Sequence, residues 1–291
     1  MTALPKTVSA EAGPTEPLPS ITPRKVNRVA GFFIFLAAYS FTCLSTIVCA
    51  TTVFVMLPFT KNGESFFKVA KAWATGIMRV SGVRLEVHSE APLPDGPVVF
   101  AGNHQSQIDI LLFFMGLPRW FVFVAKKSIF SYPFLGWAIA AMQYIPVDRG
   151  NRAQAIKSLE AAALRVHEGL SVMVFPEGTR SGDGSVLPFK KGPFMLALHA
   201  GVPIVPVAIE GSLFVNPKRR WYFSPNTVRI LIGAPIPTAG LKEGERDALI
   251  GAVRASVIRM HRRLGGLGGD ERSHVAAAGL EGIGRAAEAE R

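Results

Sequence analysis

The segment Ala101-Gly-Asn-His-Gln-Ser-Gln-Ile-Asp109 lies between two apolar runs and carries a histidine and an aspartate five positions apart. On one continuous α-helix that offset is about 140°, so the two side chains would not share a face. They meet only where a turn runs into a helix, with His104 in the turn and Asp109 in the first helical turn. So placed, they make a base and its orienter, the carboxylate fixing the imidazole tautomer and stabilising the protonated ring. The same residues also suit a polar loop closed by a capping aspartate, and spacing alone leaves both readings open.

A second segment, Phe175-Pro-Glu-Gly-Thr-Arg-Ser181, follows the apolar run Ser171 to Phe175. Proline and glycine force a turn there and present Glu177 and Arg180 at the end of a strand. A guanidinium in that place donates two parallel hydrogen bonds to a phosphate or carboxylate. A local Glu177–Arg180 ion pair without any ligand fits the spacing equally well. The two cysteines, Cys43 and Cys49, sit in an apolar block, which leaves the body of the chain without a thiol nucleophile. Of six histidines only His104 has a catalytic setting; His88, His167, His199, His261 and His274 read as structural or surface residues, and no metal site is expected.

These segments need a scaffold. Strands are expected at 83–87, 98–101, 121–125, 144–147, 171–175, 204–209 and 228–232. Helices are expected at 64–81, 108–115, 133–141, 151–168, 193–199 and 246–264. Strands alternating with helices imply an α/β fold, a central sheet covered by helices. In the helix at 64–81, Phe66, Val69, Ala70, Trp73, Ile77 and Val80 form the apolar stripe.

Ahead of this body, no residue from Val29 to Thr60 is charged. About 20 apolar residues span a bilayer. A cleaved signal sequence is the first alternative, but the block is longer than the apolar core of one and starts late, behind a Pro-rich tail. Basic residues flank both ends: Arg24, Lys25 and Arg28 before it, Lys61, Lys68 and Lys71 after it. Both flanks are therefore expected on the cytoplasmic side. A pair of short membrane-embedded helices satisfies that, with a single crossing as the alternative.

The domain reading is then a disordered, basic-ended tail over 1–28, a membrane-embedded helical segment over 29–60, a body over 61–264 and a flexible tail over 265–291. The net charge of +11 resides in the body, where 25 Lys and Arg face 14 Asp and Glu. A basic body can meet nucleic acid, anionic lipid or a phosphorylated substrate. The uncharged block turns that choice towards an anionic membrane surface and away from nucleic acid. Pro217-Lys-Arg-Arg-Trp-Tyr-Phe223 mixes basic and aromatic residues in the way that suits a lipid headgroup layer.

Four segments in order resemble the motifs of the glycerolipid acyltransferase family, over roughly residues 80–240. Asn103-His104 with Asp109 resembles the first motif, Tyr144-Ile-Pro-Val-Asp-Arg149 the second, Phe175-Pro-Glu-Gly-Thr-Arg180 the third and Val202-Pro-Ile-Val-Pro-Val207 the fourth. Phe189-Lys-Lys-Gly192 resembles the run that follows the third. The second motif departs at Pro146, where the family often has an aromatic or aliphatic residue.

The resemblance implies the acyltransferase fold and a lysophosphatidate-type activity. An acyl chain would pass from acyl-CoA or acyl-carrier protein, as donor substrate rather than cofactor, to a membrane lipid acceptor. It implies His104 as general base, Asp109 as its orienter, and Arg149, Glu177, Gly178, Thr179, Arg180 and Lys190 as the acceptor-binding set. Pro203 and Pro206 would shape a strand and the wall along the acyl chain. No Gly-x-Ser-x-Gly elbow is present, so no acyl-enzyme is implied. Rival readings are acylation of lyso-ornithine lipid or another lysophospholipid, a lipid hydrolase, and a lipid-binding membrane protein with a decayed site.

Overall fold

The computed structural model describes residues 11–24, 26–60, 63–148, 152–217 and 223–270. Its strands are β1 (Glu11–Ala12), β2 (Arg84–Ser89), β3 (Val99–Gly102), β4 (Val122–Lys126), β5 (Ile145–Val147), β6 (Val172–Val174), β7 (Ile204–Glu210) and β8 (Thr227–Ile232). Its α-helices are α1 (Arg28–Met56), α2 (Gly63–Val80), α3 (Asp109–Gly116), α4 (Leu135–Ala141), α5 (Arg152–His167), α6 (Gly192–Ala200), α7 (Ser212–Val215) and α8 (Arg246–Arg263).

The strands form one sheet in the order β1-β2-β8-β7-β3-β6-β4-β5. Every pairing is parallel except β7 with β8. This is the helix-covered sheet expected from the alternating pattern, and the antiparallel β7–β8 pair makes it the mixed sheet of the acyltransferase resemblance. All residues of β3, β6 and β7 are buried, as they must be when both sheet faces carry helices. Their C-terminal ends lie at one sheet edge, which receives both chemical segments.

The N-terminal block departs from expectation. Residues 28–56 form one unbroken helix rather than two short ones. No glycine or proline lies between Phe32 and Leu57 to break it. The hydroxyls of Thr42, Thr46 and Thr52 bond back to the carbonyls of Ala38, Thr42 and Val48, so the helix satisfies its own polar groups. At 1.5 Å per residue it is about 43 Å long, against about 30 Å of bilayer hydrocarbon. Its mean hydropathy over Val29–Met56 is 2.0, and almost none of it is buried in the protein.

The helical pair is instead α1 with the amphipathic α2, which begins beyond Pro58. Trp73 Nε1 donates to Thr46 Oγ1 across the pair at 3.2 Å. Gly76 lets the helices close up, since a Cβ there would meet the Phe41 ring at 2.9 Å. The buried face of α2 is broader than the predicted stripe. Phe67, Ala74 and Met78 join Phe66, Ala70 and Ile77, while Val80 is exposed. The reason is that α2 is packed between α1 and α3.

The N-terminal tail, expected to be disordered, lies along the body over its described residues 11–24. β1 adds to the edge of β2, and Ile21 is buried. Proline lacks an N–H but keeps its carbonyl, and this segment serves as a row of acceptors. Arg263 donates to Pro14 O, Arg229 to Pro19 O and Asn226 to Thr22 O. At the other terminus residues 265–270 also fold back: Val186 N donates to Gly268 O, and Arg254 to Asp270 O. Residues 1–10 and 271–291 lie outside the described residues.

Candidate active site

Asn103 directs the loop that leaves β3. Its side-chain amide donates to Ile209 O at 2.9 Å and accepts from Ile209 N at 2.8 Å, so it continues the β3–β7 ladder by one side-chain rung. The chain then turns through residues 104–108 and enters α3 at Asp109. The Asp109 carboxylate is fully buried in the first turn of that helix. Its Oδ2 accepts from Gln105 N at 2.8 Å, from Ser106 N at 2.9 Å, and faces His104 Nδ1 at 2.8 Å. The two backbone donors fix the direction of that oxygen at the start of the helix.

That geometry resolves the two readings of the first segment, because the aspartate closes the loop and holds the histidine at once. With Nδ1 against a carboxylate, Nδ1 carries the ring proton and Nε2 keeps its lone pair. Nε2 has no partner among the described residues, and the side chain is 15% exposed. Phe175 stacks on the ring at 3.9 Å between centroids and 19° between planes, and Phe113 and Phe123 back it. His104 is therefore held in tautomer, direction and plane, with one basic nitrogen open.

The second segment folds against the first. Gly178 N bonds Phe175 O at 3.0 Å, closing the turn, and Ser181 N donates to His104 O at 2.8 Å. Gly178 has φ +69°, in the region that only glycine enters freely, and a Cβ there would meet Lys190 Nζ at 2.7 Å. Lys190 thus lies across the turn, tied to it by its own N–H on Pro176 O. Thr179 is exposed and Arg180 half-buried at the rim.

The local Glu177–Arg180 ion pair does not form: both carboxylate oxygens of Glu177 are buried without a hydrogen-bond partner. Burial pushes the Glu177 carboxyl up to about 8. The nearby backbone N–H groups of Leu187 and His104 hold it down in part, Asp109 raises it further, and the Arg254 guanidinium lowers it. At neutral pH it is mainly the uncharged acid, which spares the site a second negative charge beside Asp109. Arg180 consequently keeps its guanidinium free of carboxylates among the described residues.

Arg149 lies outside the described residues, as do residues 218–222 of the basic-aromatic run. β5, which precedes Arg149, ends at the same sheet edge as β3 and β6. Pro203 and Pro206 fall just before and within β7, whose residues are fully buried.

Several residues around the site carry no sequence signal. Gln105 Nε2 donates to Gly184 O at 3.1 Å and to Glu210 Oε2 at 2.8 Å. The same Glu210 oxygen lies 2.6 Å from Nε2 of His261, a fully buried residue of α8. Gly268 N donates to His261 Nδ1 at 3.0 Å. Arg254, also on α8, donates to Leu187 O and Val186 O beneath the Glu177 turn. Gln105 lies inside the first segment but has no chemical pattern of its own there, and Gly184, Glu210 and His261 reach it from 79, 105 and 156 positions away. A cleft of about 600 Å³ among Lys71, Arg119, Trp120 and Ser171 lies at the opposite end of the strands, ahead of β4 and β6.

The Acyltransferase family profile matches residues 84–210. The chain is 32% identical over 234 residues to the chloroplastic 1-acyl-sn-glycerol-3-phosphate acyltransferase of Arabidopsis thaliana, covering 79% of this chain and 65% of that protein. It is 32% identical over 258 residues to the 1-acyl-sn-glycerol-3-phosphate acyltransferase alpha of Ovis aries, covering 87% of this chain and 85% of that one. The crystal structure of the 1-acyl-sn-glycerophosphate (LPA) acyltransferase PlsC from Thermotoga maritima superposes with a TM-score of 0.71 at 27% identity, over 80% of this chain and 95% of that chain.

Proposed function

The chain belongs to the 1-acyl-sn-glycerol-3-phosphate acyltransferase family, and from that premise we propose that it moves a fatty acyl chain from an acyl thioester to the free hydroxyl of 1-acylglycerol 3-phosphate, giving phosphatidic acid. The observation that carries the mechanism is the open Nε2 of His104 above a buried, hydrogen-bonded Asp109. Nε2 takes the hydroxyl proton as the oxygen attacks the thioester carbonyl. The tetrahedral adduct collapses, the C–S bond breaks, and the imidazolium returns the proton to the leaving thiolate. Asp109 stabilises the imidazolium and remains a carboxylate throughout. Base catalysis of this kind contributes about 10²- to 10⁴-fold.

The acceptor phosphate is met by Arg180, by Lys190 lying over Gly178, and by Arg149. A guanidinium free of carboxylates beside a protonated Glu177 supports that assignment. The donor is acyl-CoA or acyl-carrier protein; both are acidic and suit a body that carries the chain's positive excess. α1 embeds in the membrane with the acyltransferase domain on its cytoplasmic side, where the basic residues that follow it belong.

Purified protein given lysophosphatidate and an acyl thioester is expected to release free thiol and form a diacyl lipid. Release no faster than in a His104→Ala control would sink the activity. Free fatty acid in place of diacyl lipid would point to a hydrolase.

A further inference from the structure

Between β4 and β5 the chain crosses over the sheet through a 3-10 turn, Lys127–Ser131, and helix α4. From Ser128 to Val147 this crossover has no charged residue, and Lys126 and Lys127 stand exposed at its head. Such an apolar segment normally hides its side chains. Here Tyr132 is 56% exposed, Phe134 38% and Trp137 62%. The backbone is bent to produce this. Phe134 has φ +61°, a conformation that a side chain with a Cβ adopts only under constraint, and its ring meets the Trp137 ring at 5.4 Å between centroids. Exposing three aromatics around a strained turn costs stability in water and has no role in the core.

We propose that this crossover tip is a second membrane contact, in which Tyr132, Phe134 and Trp137 enter the headgroup layer of a phospholipid bilayer. Two observations select that occupant. The tip is continuous with a lipid-facing surface, because α4 packs against α1, whose Phe32, Phe33, Tyr39 and Leu44 are exposed. Its composition is also that of an interface: a tryptophan, a tyrosine and paired lysines, without any acid. The crossover leaves from the C-terminal end of β4, the sheet edge that carries His104. α1 alone would leave the body free to tilt on its anchor. A second contact at the catalytic edge presses the open base towards the plane from which a lipid hydroxyl arrives. The inference deepens the acyl-transfer reading and rests on the membrane placement of α1.

The test uses the full-length chain and vesicles of phosphatidylcholine with anionic phosphatidylglycerol. In a Cys43→Ser, Cys49→Ser background, Trp137→Cys carries a polarity-sensitive dye. Its emission is expected to shift to the blue on adding vesicles; no shift in protein that floats with the vesicles overturns the proposal, whatever the activity. Wild-type protein that fails to float overturns the membrane reading of α1 instead. The triple variant Tyr132→Ser, Phe134→Ser, Trp137→Ser is then assayed with a long-chain acceptor in vesicles and a short-chain acceptor dispersed as monomers. About a tenfold loss is expected on vesicles, in keeping with three partly buried aromatics, and little change on monomers. Equal losses on both would place the tip in the wall of the site. An unchanged vesicle rate, or a dimer that only the triple variant loses, would likewise overturn the proposal.

Discussion

Two of the histidine–carboxylate pairs among the described residues are tied to the loop that follows β3, and they do opposite things. In the first, His104 Nδ1 lies 2.8 Å from Asp109 Oδ2; in the second, His261 Nε2 lies 2.6 Å from Glu210 Oε2. The difference is at the far nitrogen. His104 keeps Nε2 open at the sheet edge, whereas His261 has Nδ1 occupied by the Gly268 N–H and its ring wholly buried. A nitrogen that already accepts a hydrogen bond has no lone pair left for a substrate proton. The first pair can act as a base; the second clamps β7, α8 and the C-terminal segment together, and through Gln105 it reaches the loop that holds His104.

The contrast breaks most sharply at the dyad. His104→Ala is expected to lower kcat by about 10²- to 10⁴-fold with only a modest fall in melting temperature, since the Asp109 carboxylate keeps the Gln105 and Ser106 N–H donors when the ring is gone. His261→Ala should do the reverse. The ring accepts at Nδ1 and is neutral, so removing it leaves the buried Glu210 oxygen and the Gly268 N–H each short of a partner, about 1–3 kcal/mol apiece, read as a lower melting temperature, with activity per folded molecule reduced far less. Thermal melts and kcat measured on both variants decide the matter; equal kinetic losses would mean that the sealed pair takes part in chemistry.

Asp109→Asn tests why the open nitrogen is basic. An amide can present the wrong hydrogen-bonding partner to Nδ1, and a loss approaching that of His104→Ala is expected in kcat, with little change in KM. Arg180→Ala should act on KM instead. Losing a charge-assisted hydrogen bond of about 1.5–3 kcal/mol raises KM for the phosphate acceptor by roughly 10- to 100-fold, with KM for the thioester unchanged. Equal effects on both substrates would remove Arg180 from the phosphate site.

The last contrast concerns Glu177, a buried carboxyl with no histidine at all, and it is read in stability rather than in rate. Its folded value of about 8 lies above the ordinary 4.5, so between those values the unfolded chain has released a proton that the folded chain still holds. Stability therefore falls as pH rises through that window and levels off above about 8. Glu177→Gln removes this slope, so wild type should be the less stable of the two at pH 8 but not at pH 4.5. Parallel stability curves in denaturant would show that Glu177 is ionised in both states.

The sequence alone singled out the residues that the fold brings to one candidate site. A histidine and an aspartate at the mouth of an apolar run, a Pro-Glu-Gly turn and an arginine are local patterns, and strand-end loops display local patterns on the surface. Alternating apolar runs likewise specified a helix-covered sheet, because burial periodicity is written along the chain. The continuity of α1 was also legible in principle, from the lack of any glycine or proline inside it, but the charges at its two ends argued for a bend.

Tertiary structure decided what the local pattern left open. It gave His104 and Asp109 a shared site by placing a turn between them, and it denied Glu177 and Arg180 their ion pair by burying the acid and leaving the base at the rim. It brought His261 from α8 and Glu210 from β7 beneath Gln105, across 156 and 105 positions of sequence. It also fastened a Pro-rich tail to Arg263 and Arg229 through carbonyls that any residue carries. Burial and hydrogen-bond saturation depend on every neighbour in space. For that reason two pairs with the same chemistry in sequence became, in the fold, one open base and one sealed clamp.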